Sequence, residues 1–342
     1  MLRHFITRLN WMVALVIILP LFANAVAQPK NASANHGKIL RLDPRFDKLV
    51  PKNAVLEKLA DGIAWAEGPV WNREGKFLLF SDVPNNAIFK WQEGNGVTQF
   101  LKPSGYTGKV PFTGREPGSN GLAYDTRGRL VMCQHGDRRI IRLEKDGTKT
   151  TLADRYQGKR LNSPNDLVFK SNGDLYFTDP PFGLPKSFDD PKRELDFCGV
   201  YRLSQDGNLT LLTKDLKGPN GIAFSPDEKI LYVSDNTGGA WWAFEVKADG
   251  TIANGRVLLD ATAFRKNKPG GPDGMKVDIH GNIFGAGPGG LYVIAPDGAY
   301  LGGFEFGVPI GNCAWGENGS TLFIAANTEL YRIRLNTKGT GF

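Results

Sequence analysis

One phrase recurs six times in this chain, and it limits the fold to a ring or stack of small β units. The copies are EGPVWNREGKFLLFSD (Glu67 to Asp82), NGLAYDTRGRLVMCQ (Asn120 to Gln134), NDLVFKSNGDLYFTD (Asn165 to Asp179), NGIAFSPDEKILYVSD (Asn220 to Asp235), DGMKVDIHGNIFGAG (Asp273 to Gly287) and GNCAWGENGSTLFIAA (Gly311 to Ala326). Each opens with a register residue, runs through a short apolar strand, turns at a polar or glycine pair and enters a second apolar strand. A second hairpin follows most copies, as in AIFKWQEGNGVTQFL and GVYRLSQDGNLTLLT. Two hairpins make four strands, and four-stranded units recurring every roughly 40 to 55 residues predict propeller blades. The expected fold is all-β, a six-bladed β-propeller with four antiparallel strands per blade.

Six copies of the first hairpin accompany five of the second. After the sixth copy the chain offers only ELYRIRL (Glu329 to Leu335), whereas AVLEKLADG (Ala54 to Gly62) precedes the first. Pairing these N- and C-terminal strands in one blade closes the ring and removes a free edge. No long helix is expected. The polar insertion Phe188 to Cys198 reads as a loop over one face, a lid over the mouth.

The register residues are Glu67, Asn120, Asn165, Asn220, Asp273 and Gly311. In a radial arrangement each precedes the innermost strand of its blade, so all six gather at one mouth of the central channel. Two carboxylates in a partly dry channel raise each other's pKa unless a positive charge intervenes, and no Lys or Arg occupies the register. A hard divalent cation answers this. Carboxylate and amide oxygens without thiolate or imidazole suit Ca²⁺ or Mg²⁺, and an irregular cavity favours Ca²⁺; Zn²⁺ is the remaining alternative. Against this stands the reading of Asn-Gly and Asp-Gly as plain turn dipeptides. Glu67 is a poor turn former, however, and each repeat has a separate turn later on.

The first residues read as a targeting segment. Arg3, His4 and Arg8 precede an apolar run from Trp11 to Phe22, and Ala25-Val26-Ala27 is a small-x-small cleavage signal before Gln28. The run is short for a membrane span, which needs about 20 residues; an uncleaved anchor is the alternative. The expected domains are a signal peptide (1–27), an irregular leader (28–53) with a disordered start, and the propeller (54–342). The mature protein is then periplasmic or secreted, with no membrane association. Losing Arg3 and Arg8 lowers the formal charge from +7 to +5. That surplus is dispersed, and Lys159-Arg160 is too small a cluster for nucleic acid. Of the three cysteines, Cys133 and Cys313 fall within strands, so buried thiols compete with a disulfide. There is no GxSxG elbow and no CxxC.

The stretches AWAEGPVW, RLNSPNDLVFKSNGDLYFTDPPFG, GPNGIAFSPDEKILYVSD and PDGMKVD resemble the SMP-30/gluconolactonase/luciferin-regenerating family of six-bladed propellers, in its bacterial gluconolactonase-like branch. The resemblance implies one catalytic divalent cation held by a Glu, two Asn and an Asp, here Glu67, Asn165, Asn220 and Asp273. Asn120 is then assigned to substrate or to a longer metal distance, and Asp166 is near enough in sequence to reach the channel.

The chemistry expected is opening of a sugar-acid lactone: the cation polarises the carbonyl, and water attacks with Asp273 as general base. Arg160 and His135 are candidate substrate contacts, each with a plain loop role as the alternative. Phe182 is a candidate pocket wall, and Trp241-Trp242 is read as core between blades. The partner is a small lactone, and the protein is a monomer or weak homo-oligomer. The rival functions are an arylesterase or phosphotriesterase at the same metal, and a non-catalytic propeller whose cation is a structural plug.

Overall fold

A computed structural model describes residues 36–342; the expected signal peptide (1–27) and its cleavage point lie outside the described residues. Six antiparallel sheets follow one another in chain order. The first blade runs Ala66–Asn72, Phe77–Asp82, Ala87–Gln92 and Gly96–Leu101. The innermost strands of the others are Ser119–Tyr124, Leu167–Phe169, Pro219–Phe224, Met275–Val277 and Asn312–Gly316. Each opens at or within two residues of its register residue. The six-bladed propeller inferred from the repeats is the fold.

The apolar faces explain the ring. Alternation along each strand gives each blade two faces, and the buried residues fall into six clusters, each bridging consecutive blades. Leu79, Ile88, Leu122 and Met132 join blades one and two. Trp241 packs with Tyr292 between blades four and five, their rings 5.6 Å apart. The core is thus a wheel of interfaces, and its hub is left to polar side chains.

Closure follows the predicted route. Glu57–Ala60 pairs antiparallel with Glu329–Arg334, with Lys58 opposite Tyr331. Arg332 fastens the seam. Its guanidinium bonds both oxygens of Glu57, at 2.7 and 3.0 Å, reaches Glu317 at 3.2 Å and contacts Glu93 of the first blade.

The reading of residues 28–53 as irregular fails from Lys38 onward. Lys38–Arg41 adds a fifth strand to the outer edge of blade five, with Ile39 opposite Phe304. Pro44–Leu49 is a short helix with Asp43 as its N-cap and Pro44 in its first turn. Phe46 and Leu49 are buried between blades five and six. The physical cause is an open sheet edge and an exposed apolar seam, which this segment covers. Asp-Pro followed by apolar residues three apart was the available signal. Cys133, Cys198 and Cys313 are free and buried.

Candidate metal and substrate site at the propeller mouth

The inner strands crowd so closely at the hub that glycine must follow most register residues. A Cβ on Gly121 would lie 2.6 Å from the Asn165 carbonyl oxygen, one on Gly221 would lie 2.4 Å from that of Asp273, and one on Gly274 would overlap the Asn312 amide. None of these three has a positive φ. Their glycines serve close approach, not a turn, which settles the Asn-Gly question raised by the sequence. Gly311 has the same cause: a side chain there would strike the Glu67 carboxylate, 2.7 Å from Oε1.

A recurring Ser/Thr-Asp pair at the end of the second strand aims the register residues. The hydroxyl bonds the register carbonyl of the next blade: Ser81 to Asn120 at 2.8 Å, Thr178 to Asn220 at 2.6 Å and Ser234 to Asp273 at 2.8 Å. The Asp beside it accepts from the backbone entering its own blade. Asp82 takes the amides of Ala64 and Trp65, Asp179 that of Asn162, and Asp235 those of Lys217 and Gly218. With main chain fixed on both sides, the register side chains face the channel. The dipeptide was visible as FSD, FTD and VSD in the repeats, but its role was not.

Glu67, Asn120, Asn165, Asn220 and Asp273 line one cavity of about 300 Å³, together with Trp65, Glu116, Phe182, Ser187 and Asn236. Glu67 is buried, its oxygens met by the indole N–H of Trp65 and the N–H of Gly68, at 3.3 and 3.1 Å. Burial pushes its carboxyl up to about 8, with Asp166 and Glu116 adding repulsion. Asp273 keeps some surface open to the cavity, yet desolvation, then Glu67, raises its carboxyl well above the ordinary range. Asn120 Oδ1 is buried without a hydrogen-bond partner. Among the lining residues there is no Lys or Arg.

A buried carboxylate, a half-buried one and an orphaned amide oxygen around one hollow fit a hard cation, which would lower both pKa values and occupy the unpaired acceptor. Among the described residues no three His, Cys, Asp or Glu cluster as metal ligands, so a cation here must draw on the asparagine oxygens.

The remaining candidates are placed differently. Asp166 lies buried in the channel, accepting from Asn312 Nδ2 at 3.1 Å, and Asn312 Oδ1 meets Lys276 Nζ at 3.3 Å. Arg160 does not line the cavity; its guanidinium donates to the Asp137 carbonyl at 2.8 Å. His135 is fully buried, and it stands behind Glu116 instead of facing the hollow. Trp241 and Trp242 are also absent from the wall. Phe182 does form wall, and its ring meets Phe188 edge-on at 5.9 Å. Ser187, just before the insertion, reaches the cavity, while within the insertion Leu195 and Cys198 are buried and no residue lines the wall. Glu116 was missed because it lies off the register, in the loop between blades one and two. A larger hollow of about 570 Å³, bordered by Trp71, Tyr124, Lys276 and Phe342, sits toward the other ends of the inner strands and mixes both signs of charge.

Comparison with known proteins agrees with this architecture. Residues 65–328 match the profile of the SMP-30/gluconolactonase/LRE-like region. The gluconolactonase of Zymomonas mobilis is 42% identical over 312 residues, which span 89% of this chain and 87% of that protein. Diisopropyl-fluorophosphatase of Loligo vulgaris is 25% identical over 257 residues, 70% of this chain and 78% of that one. The solved structure of a Xanthomonas campestris gluconolactonase superimposes with a TM-score of 0.76 at 33% identity, covering 92% of this chain and 98% of that chain. The chain belongs to the SMP-30/gluconolactonase/LRE-like family.

Proposed function

We propose that this protein is a metal-dependent lactonase that opens a sugar-acid lactone. The observation that carries the metal site is the shared cavity of Glu67, Asp273 and the unpartnered Asn120 oxygen, with no basic residue on its wall. The lactone is supported by the gluconolactonase relative at 42% identity. Glu67, Asn165, Asn220 and Asp273 hold the cation, with Asn120 Oδ1 turned to it at a longer distance and Ca²⁺ preferred for an all-oxygen set in an irregular cavity. When bound, the ion supplies Lewis acidity and a counter-charge for the oxygen that becomes negative on attack.

The chain's own residues do the rest. Trp65 and Phe182 shield one side of the hollow from water. The Asn120 amide N–H groups donate to substrate oxygens. Asp273 accepts a proton from the attacking water; the acyl carbon gains the hydroxyl, the ring C–O bond breaks, and the departing alkoxide takes that proton back from Asp273. The targeting pattern of residues 1–27 supports work outside the cytoplasm, in the periplasm or beyond.

Hydrolysis of a panel comprising glucono-1,5-lactone, aryl esters and diisopropyl fluorophosphate, before and after EDTA and then with Ca²⁺ restored, tests this reading. Chelator-sensitive lactone opening is expected. Turnover confined to esters or to the organophosphate favours the second reading, which the squid relative supports. No turnover on any substrate, with a melting temperature that falls sharply without metal, makes the ion a plug.

A further inference from the structure

Glu116 is the one carboxylate on the cavity wall outside the register. Its side chain is 31% exposed, and its Oε2 lies 3.0 Å from Nδ1 of His135. His135 is fully buried, and neither ring nitrogen makes an aligned hydrogen bond. The Pro-Pro-Phe-Gly loop presses on the ring, since a Cβ on Gly183 would come within 2.4 Å of the His135 Cβ. Burying two polar nitrogens is costly unless they serve something, and the polar group that lies against this ring is the Glu116 carboxylate. The imidazole is thus a fixed buttress behind a carboxylate that faces the hollow.

We propose that Glu116 contacts the substrate and selects hydroxyl-rich lactones, with His135 as its positioning residue. The assignment rests on the lactonase reading. An ionised carboxylate only accepts hydrogen bonds, so it pairs with ring hydroxyls and gives nothing to a bare aliphatic ring. Glu67, Glu116 and Asp273 share a wall without Lys or Arg. The apolar walls, Trp65 and Phe182, suit the carbon face of such a ring.

The test compares glucono-1,5-lactone with δ-valerolactone, the same ring without hydroxyls, using the chain from Gln28 to Phe342. In Glu116→Ala the ratio of kcat/KM between the two lactones should fall about ten- to a hundred-fold, mostly through KM, as for loss of a hydrogen bond to a charged group. His135→Phe keeps ring bulk but no donor and should show the same fall. The double variant should be no worse than the weaker single, since both remove one interaction. His135→Asn, whose amide reaches the Nδ1 position, should recover part of the preference, which a purely packing role for the ring does not predict. An unchanged ratio in folded Glu116→Ala overturns the proposal. So does an equal loss on both lactones with weakened Ca²⁺ binding by calorimetry, because Glu116 is then a ligand. A wild-type protein that opens neither lactone defeats the lactonase reading, and this assignment with it.

Discussion

Glu67 and Asp273 carry more charge than their surroundings can tolerate. Both carboxyls are raised by burial and by repulsion within the mouth, so protons and a cation compete for the same oxygens. Ca²⁺ affinity should therefore rise with pH as it approaches about 8, and binding should release protons, which calorimetry in buffers of different ionisation enthalpy would detect. Asp273→Asn should retain the fold and some metal while losing about a hundred-fold or more in kcat, the usual scale for a general base; near-native turnover would remove Asp273 from that role. Asp273→Ala should lose both metal and turnover. These residue identities were legible in the sequence because the repeat repeats its chemistry. Glu116 was not, since it belongs to a loop that recurs in no other blade.

At the scale of the strand, the Ser/Thr-Asp pairs turn a sequence repeat into a set of side chains aimed at one hollow. Thr178→Val preserves shape but deprives the Asn220 carbonyl of its 2.6 Å partner. The cost should be about 1 kcal/mol of stability, with Ca²⁺ affinity falling further than the melting temperature alone would suggest. Ser234→Ala should do the same at Asp273, and an unaltered Ca²⁺ affinity in both variants would show that these hydroxyls merely hold blades together. Arg160 illustrates the opposite case. Its place five residues before Asn165 suggested the mouth, but the short hairpin Arg155–Tyr156 and Lys159–Arg160 turns it toward the Asp137 carbonyl.

For the whole molecule, ring closure and hub charge govern stability. Arg332→Ala leaves Glu57 and Glu317 without their shared partner at the seam and should cost about 2 kcal/mol, between the values for exposed and buried ion pairs. The metal-free protein should show an unusual pH profile. Glu67 has a folded value of about 8 against an ordinary 4.5, and burial pushes Asp179 up to about 7. The native state then holds protons that the unfolded chain has released, so stability falls as pH rises from about 4.5 to about 8. Melting scans in EDTA across that range should show the decline, and excess Ca²⁺ should erase most of it at the alkaline end. A melting temperature that climbs with pH in EDTA would contradict the burial of these carboxyls.

Periodicity alone determined the six blades, the strand that closes them and the register of polar residues at the hub, because each is a local pattern repeated under one geometric rule. Tertiary structure decided what no single repeat encodes: that glycine follows the register for want of space, that Lys38 to Leu49 covers an open edge, and that His135 is hidden behind Glu116. Those outcomes depend on which segments distant in the chain come to share a volume, and packing sets that only once the ring has closed.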